Sequence, residues 1–421
     1  MSNTELTANP RYMQPASGVQ IERAAQALAM HVAANATTAR AKFAEGVPAG
    51  AEAITGASTT LIQLHRALVG RSPTCASLAR RPLLLLALGL GLLLAAAPAL
   101  AGPAPTPLQA AAAPTWHPAV AGIIAGLQAA DVYTAVAELS GQQPTLIDGV
   151  PYTLTTRHSR SGLPLQKATR YVAERLEAVG IAVATASWTA CGFSGTNLTG
   201  IITGTVYPDE IVLMTAHLDD MPSSGTAPGA DDNASGVAAV LLAGRQFARV
   251  PLARTVRLVF FTGEEQGLCG SGRYAEAAQA AGDNLVAVYN VDMLGWDSVG
   301  APVAELHTRV PTDPGYAADL AIASVFTNVV ALYNLGDRLE PVIRADGPSA
   351  ADHSSFWNYG FPAILAIEDS YNDFNAYYHT TNDGVNYLNL DYLTAFVQAS
   401  AGTVAHLAAP VRALYFPVVA R

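Results

Sequence analysis

The chain has 421 residues, 51% apolar and 13% charged, with 23 basic and 33 acidic residues and 3 cysteines. So much apolar residue with so little charge excludes a disordered chain, and three cysteines cannot build a disulfide framework. A net charge of −10 argues against nucleic acid or an anionic membrane as partner, either of which would select a basic face.

The charge is unevenly spread. Residues 1–101 carry 8 Lys/Arg and 4 Glu, a net of +4, whereas residues 102–421 carry 15 Lys/Arg and 29 Asp/Glu, a net of −14. Within the first section, Pro82 to Ala101 is uncharged, and Leu83 to Ala97 is almost entirely Leu and Ala. Arg80 and Arg81 precede this run, and Ala99-Leu100-Ala101 follows it as a small-x-small pattern, the anatomy of a secretory signal peptide cleaved near Ala101. Residues 1–81 are too long for the basic leader of such a peptide. One reading places the true start downstream of Met1, at a non-Met codon such as that of Val69, since no Met lies between Met30 and Met214. The other makes 82–101 an uncleaved, single-pass membrane anchor with 1–81 as a cytoplasmic segment. Both put residues 102–421 outside the cytoplasm, where Cys191 and Cys269 either pair or remain free thiols. The segmentation expected is therefore 1–81, 82–101, a Pro/Ala linker over 102–115, one domain over 116–410, and an apolar tail over 411–421.

Past the linker, apolar spacing predicts amphipathic helices over Val120–Leu139 and Leu165–Leu176. Runs rich in Val, Ile and Thr then predict strands at Ile181–Trp188, Leu198–Val206 and Ile211–His217. Helices are expected at Asp232–Ala248, Gly270–Ala281, Ala318–Leu332 and Leu390–Leu407, and strands at Val256–Phe261, Leu285–Val291 and Ala363–Ile367. Apolar strands alternating with helices imply an α/β fold: a three-layer α/β/α sandwich around a mixed, mainly parallel sheet. No P-loop, no G-x-S-x-G elbow and no H-E-x-x-H motif occurs.

In such sheets, ligands gather at the carboxyl ends of the strands. The predicted strand ends carry His217 with Asp219, Glu264-Glu265, and Asp292; Asp231-Asp232 opens a helix, and a late loop supplies Tyr378-His379. Carboxylates left unpaired at the ends of apolar strands are costly unless something compensates them, and a divalent metal does so. His and carboxylate donors without thiolates suit zinc. Two histidines and three carboxylates are too many for one four-coordinate zinc, but fit two metals sharing one carboxylate. Three carboxylates against two divalent ions leave one positive charge, which a hydroxide neutralises. Taken singly, Asp231 and Asp232 are ordinary helix-capping residues, Glu264-Glu265 solvated charge and His379 a surface histidine; the joint pattern is what points to metal.

Five segments carry a resemblance: Thr-Ala-His217-Leu-Asp219, Pro-Gly-Ala-Asp-Asp232-Asn-Ala-Ser-Gly, Gly-Glu264-Glu265-Gln-Gly-Leu-Cys-Gly-Ser271, Asn-Val-Asp292-Met and Tyr-His379-Thr-Thr-Asn-Asp. Over roughly residues 120–410 the chain resembles the zinc-dependent aminopeptidases with two co-catalytic metals, a family that includes secreted bacterial leucyl aminopeptidases. The resemblance implies two Zn2+ per chain, one held by His217 and Asp292, the other by Glu265 and His379, with Asp232 bridging. It also implies a bridging hydroxide as nucleophile, Glu264 as general base, Asp219 as the carboxylate orienting His217, and a cis Asp232–Asn233 bond. Asp352-His353 resembles a segment lining the site, Tyr378 is a candidate oxyanion donor, and a monomer acting on peptide substrates is expected. Cys269 departs from the bulkier residue that relatives often carry.

Amino- and carboxypeptidase or dipeptidase specificity stay open in the sequence. Glu340, Glu368 and Asp369 are candidates for a substrate's free amine, and Arg338 and Arg344 for a terminal carboxylate. A glutaminyl-cyclase-like activity on a single zinc is disfavoured by the presence of both His217 and Asp292. A non-catalytic binding ectodomain is disfavoured by the full ligand set and base.

Overall fold

A computed structural model describes residues 113–222 and 228–411; the segments expected at 1–81 and 82–101, most of the 102–115 linker and nearly all of the 411–421 tail lie outside them. Eight strands form the main sheet: β3 (Ala182–Ala190), β4 (Phe193–Ile202), β5 (Tyr207–His217), β6 (Arg254–Phe261), β7 (Asn284–Val291), β8 (Val303–His307), β9 (Glu340–Arg344) and β10 (Ala363–Glu368). A separate small hairpin, β1 (Thr145–Ile147) and β2 (Val150–Tyr152), precedes them. The sheet order is β3-β4-β6-β5-β7-β10-β8-β9. Strands β6, β5, β7 and β10 run parallel at the centre, whereas β3, β4 and β8 introduce antiparallel pairs.

The strand period of two divides the apolar side chains between two cores. Along β5, Val212, Met214 and Ala216 enter the larger one, with Val256, Leu258 and Phe260 of β6 and Ala287, Tyr289 and Val291 of β7. Helices α1 (Pro118–Ala125), α2 (Ala129–Leu139), α3 (Leu163–Glu177), α4 (Gly236–Phe247), α6 (Tyr316–Leu332) and α8 (Leu390–Ala408) cover that face. Ile211 and Leu213 point the other way, with Val259, Phe261 and Val288, towards α5 (Cys269–Ala281) and α7 (His353–Trp357). The result is the three-layer α/β/α sandwich around a mixed, largely parallel sheet. The chain leaves β5 through α4 to reach β6 on one side, then crosses through α5 to β7 on the other. The strand order thus reverses at β5, and the crevice at a reversal is where an open α/β sheet holds its ligands.

Several boundaries differ from the sequence expectation. The helix expected over Val120–Leu139 is two, bent by 55°. Gly126 closes the first: its carbonyl accepts from Gln246 Nε2 at 3.0 Å, and a Cβ there would lie 2.5 Å from Gln246 Oε1. The strand expected from Leu198 to Val206 begins at Phe193, since Cys191 and Gly192, both at positive φ, turn β3 directly into β4. Strands β8 and β9 were not among the expected elements; each is five residues long and interrupted by charged residues. Buried Glu305 pairs with Arg344 of β9 at 2.7 Å and with His307 at 3.2 Å, so charge is neutralised inside the sheet.

Cys191 and Cys269 form a disulfide that ties the β3–β4 turn to the first residue of α5. It encloses a loop spanning 78 residues of sequence. Cross-links over loops of that order stabilise by about 2–4 kcal/mol, chiefly through the unfolded chain. Replacing both cysteines by serine is expected to lower the unfolding free energy by that amount in denaturant titration.

Candidate metal centre

The carboxyl ends of β5, β6 and β7 converge with two loops on a cavity of about 540 Å³. His217 ends β5, and Asp292 follows the last residue of β7. Their side chains meet, with His217 Nε2 3.1 Å from Asp292 Oδ1. Asp232 lies between the two groups: its Oδ1 is 3.1 Å from His217 Nε2 and its Oδ2 is 3.1 Å from His379 Nε2. His379 Nε2 also lies 2.8 Å from Glu265 Oε2. Two clusters result, His217–Asp232–Asp292 and Asp232–Glu265–His379, each with donor atoms within 4.8 Å of one another and both using Asp232.

The donor set fits divalent metal. His379 Nε2 has carboxylate oxygens of Asp232 and Glu265 within reach but hydrogen-bond alignment to neither, and Glu265 Oε1 has no partner. The ring nitrogen and the carboxylates of Asp232 and Glu265 thus surround a common point. The electrostatics agree. Burial pushes Glu264 well above the usual carboxylate range, aided by Asp352, Asp292 and Glu265. Burial, with the neighbouring Asp232, pushes Glu265 up to about 7, and burial raises Asp292. Burial would lower both histidines, but carboxylates override it: Asp292 and Glu264 raise His217, while Asp232 and Glu265 raise His379 to about 10. Negative groups so crowded and desolvated are stabilised by a cation in their midst.

The backbone around Asp232 is irregular. The helix expected from Asp232 starts only at Gly236, because Asp232 and Asn233 have non-helical φ/ψ and the bond between them is cis. Asn233 holds this turn against β7: Nδ2 donates to Val291 O at 3.0 Å, and Oδ1 accepts from Gly236 N at 2.9 Å and Met293 N at 3.3 Å. A Cβ at Gly236 would lie 2.2 Å from Asn233 Oδ1, so the position requires glycine.

Asp219 differs in detail from its expected role. His217 Nδ1 bonds the main-chain oxygen of Asp219 at 3.1 Å, while the carboxylate stands 3.9 Å away. That carboxylate accepts from the backbone N–H of Glu264 (3.3 Å) and Glu265 (3.4 Å) and from Ser159 Oγ (2.8 Å). It thereby ties the β6 loop to the end of β5. Tyr378 lines the cavity with its ring stacked on His379 at 3.7 Å. Asp352 and His353 are fully buried and do not line the cavity; the residues before them, Pro348 to Ala351, do. His353 Nε2 lies 3.0 Å from Pro348 O, and burial pushes the ring down to about 3, so it supports that wall as a neutral imidazole. Both oxygens of Asp352 lack hydrogen-bond partners, and burial pushes it up to about 7.

The candidate amine and carboxylate binders lie elsewhere. Glu368 is buried and accepts from Trp296 N and Asn375 N, and Asp369 caps the turn at 371–372. Arg338 donates to Gln398, Arg344 to Glu305, and Glu340 is exposed. Sequence reading missed Arg157, which is wholly buried and donates to the carbonyls of Leu139, Leu218, Pro228 and Gly229. Its backbone N–H donates to the Asp220 carboxylate at 2.7 Å. It joins the loop after β5 to the loop before Asp232, and nothing in its sequence surroundings signals that.

Residues 197–404 match the sequence model of Peptidase family M28. The chain is 28% identical over 209 residues to Leucine aminopeptidase 1 of Arthroderma otae, covering 47% of this chain and 55% of that protein. It thus spans about half the length of the curated relatives it matches. In fold it is similar to the LapA aminopeptidase of Legionella pneumophila, with TM-score 0.58 and 20% identity over 71% of this chain and 77% of that one. It is likewise similar to a zinc aminopeptidase from Bacillus subtilis, with TM-score 0.55 and 15% identity over 67% and 95% of the two chains.

A metal that binds the folded cluster alone stabilises it by mass action, about 2.7 kcal/mol at a hundred times its dissociation constant. Zinc added to chelator-treated protein is therefore expected to raise the thermal midpoint, and Asp232→Asn, which alters both clusters, to remove most of the rise.

Proposed function

Residues 197–404 belong to peptidase family M28, and from that premise we propose that the chain is a zinc-dependent aminopeptidase using two ions per chain. The observation that carries the exopeptidase polarity is the lining of the cavity. Among the described residues it contains no Lys or Arg, so no cation is at hand for a substrate's terminal carboxylate. Its carboxylates and the main chain of Pro348–Ala351 suit a free amine instead. Beside the donor clusters, Met293, Ala351, Leu365 and Ile367 form a small apolar group of their own. They offer a seat for an apolar N-terminal side chain, in keeping with the names of the curated relatives.

His217, Asp292, Glu265, His379 and the shared Asp232 would hold the metal ions. When bound there, they would polarise the scissile carbonyl and acidify an attacking water. Glu264 belongs to neither cluster yet lines the same cavity. Its carboxylate is assigned the proton: it takes it from the attacking water and delivers it to the leaving amine nitrogen. Asp219 keeps Glu264 in place through the backbone N–H it accepts. Tyr378, stacked on His379, is proposed to face the developing oxyanion.

The chain is expected to cleave chromogenic leucyl or methionyl amides and to spare N-blocked peptides, with activity lost to chelator. In the same assay Glu264→Gln is expected to retain its metal while kcat falls on the order of 10²–10⁴-fold, the usual worth of a general base. Cleavage of blocked peptides only, or near-normal turnover by Glu264→Gln, would contradict the assignment.

The peptide-hydrolysing domain is proposed to work outside the cytoplasm. The support is the uncharged stretch Pro82–Ala101 with its flanking Arg80-Arg81 and Ala-Leu-Ala. N-terminal sequencing of protein recovered from the medium is expected to begin just after Ala101; a start near Met1 would refute cleavage there.

A further inference from the structure

Asp383 lies four residues beyond His379, at the end of the same loop. It makes an unusual set of bonds to the turn that carries Asp232. Its main-chain oxygen accepts from Ala230 N at 3.1 Å. Its carboxylate accepts from Asp231 N, with both oxygens at 3.1 Å, and from Asp232 N at 3.0 Å. Three consecutive backbone N–H groups therefore end on one residue, which is itself buried. A negative charge is electrostatically unwelcome beside Asp231 and Asp232, so the carboxylate's contribution must lie in accepting these hydrogen bonds. Burying those donors without an acceptor would be costly.

The two donor clusters depend on this contact to different degrees. His217 and Asp292 are placed by adjacent strands, β5 and β7, and the Asp232–Asn233 turn is separately fastened to β7 through Asn233. The first cluster thus has supports that do not involve Asp383. His379 has no strand beneath it. It sits at positive φ on an irregular loop, with its side chain one-third exposed, and it meets Asp232 across the cavity. Between that loop and the Asp232 turn, Asp383 accepts all the described hydrogen bonds from backbone N–H groups of the turn; one further bond, from Asn375 Nδ2 to Asp231 Oδ2 at 2.8 Å, reaches a side chain rather than the backbone.

We propose that Asp383 is a positioning residue that sets the spacing between His379 and Asp232, and so governs metal affinity at the Asp232–Glu265–His379 cluster selectively. This rests on the two-ion reading above. Asn at 383 would keep one acceptor oxygen but turn an N–H towards a backbone N–H, breaking part of the clamp while leaving the volume unchanged.

The test is zinc binding by the full chain across a chelator-buffered series of free zinc, with bound metal counted by elemental analysis. Wild type is expected to fill two sites. D383N is expected to fill the first at unchanged affinity and the second at least about tenfold more weakly, a selectivity that general loss of structure would not produce. Equal affinities in D383N and wild type, or equal weakening of both sites, would overturn the inference. Wild type binding fewer than two ions would instead overturn the two-ion reading and the inference with it. If D383N does not accumulate folded, Asp383→Glu, which keeps the charge and moves both oxygens by one methylene, is read by the same criterion.

Discussion

Everything at the candidate centre answers to one electrostatic constraint: Asp232, Glu265 and Asp292 are gathered with Glu264 in a poorly solvated crevice, with Asp352 buried behind its wall. Carboxylates taken out of water and set beside one another resist ionisation, and burial raises Glu264, Glu265, Asp292 and Asp352 accordingly, whereas at Asp232 burial is outweighed by His217 and His379, which hold it below the usual carboxylate range. Protonation would relieve this cost, but at the expense of the donors' ability to ligate. Divalent metal held among the ligating carboxylates would offset their charge, which would make so acidic a cluster compatible with a stable fold.

A fold that tolerates such repulsion must hold its donors rigidly. The sheet does part of this by placing His217 and Asp292 at the ends of adjacent parallel strands, beside the reversal of strand order at β5. Loops supply the rest, and each is tied down by buried polar groups rather than by apolar packing. Asp219 fastens the Glu264-Glu265 loop to β5, Asn233 fastens the Asp232 turn to β7, Arg157 joins the two loops that approach that turn, and Asp383 brings the His379 loop to it. The disulfide adds a covalent tie at the far end of the Glu264-Glu265 loop, where Cys269 begins α5.

The strand ends were legible because apolar runs such as Ile211–Ala216 and Leu285–Val291 have a clear pattern, and a polar residue terminating each one stands out. The donors converge because parallel strands end on the same edge. What resisted reading was polar burial. Glu305, His307 and Arg344 look like loop residues until they are seen to neutralise one another across β8 and β9. Arg157 gives no local sign that its partners lie 18 to 72 residues away. Asp383 stood within a recognised segment, yet its contribution is to backbone N–H groups some 150 residues earlier, a relation that no spacing rule encodes. For Asp352 and His353, sequence could suggest proximity to the site but not that Pro348–Ala351 would stand between them and the cavity.

The Asp232-centred array is proposed to hold two divalent ions at once. Anomalous diffraction recorded on either side of the zinc edge, on crystals grown with zinc, tests it most directly. Two peaks are expected, one on each side of the Asp232 carboxylate, the first against His217 and Asp292 and the second against Glu265 and His379. A single peak, or peaks remote from Asp232, would contradict it.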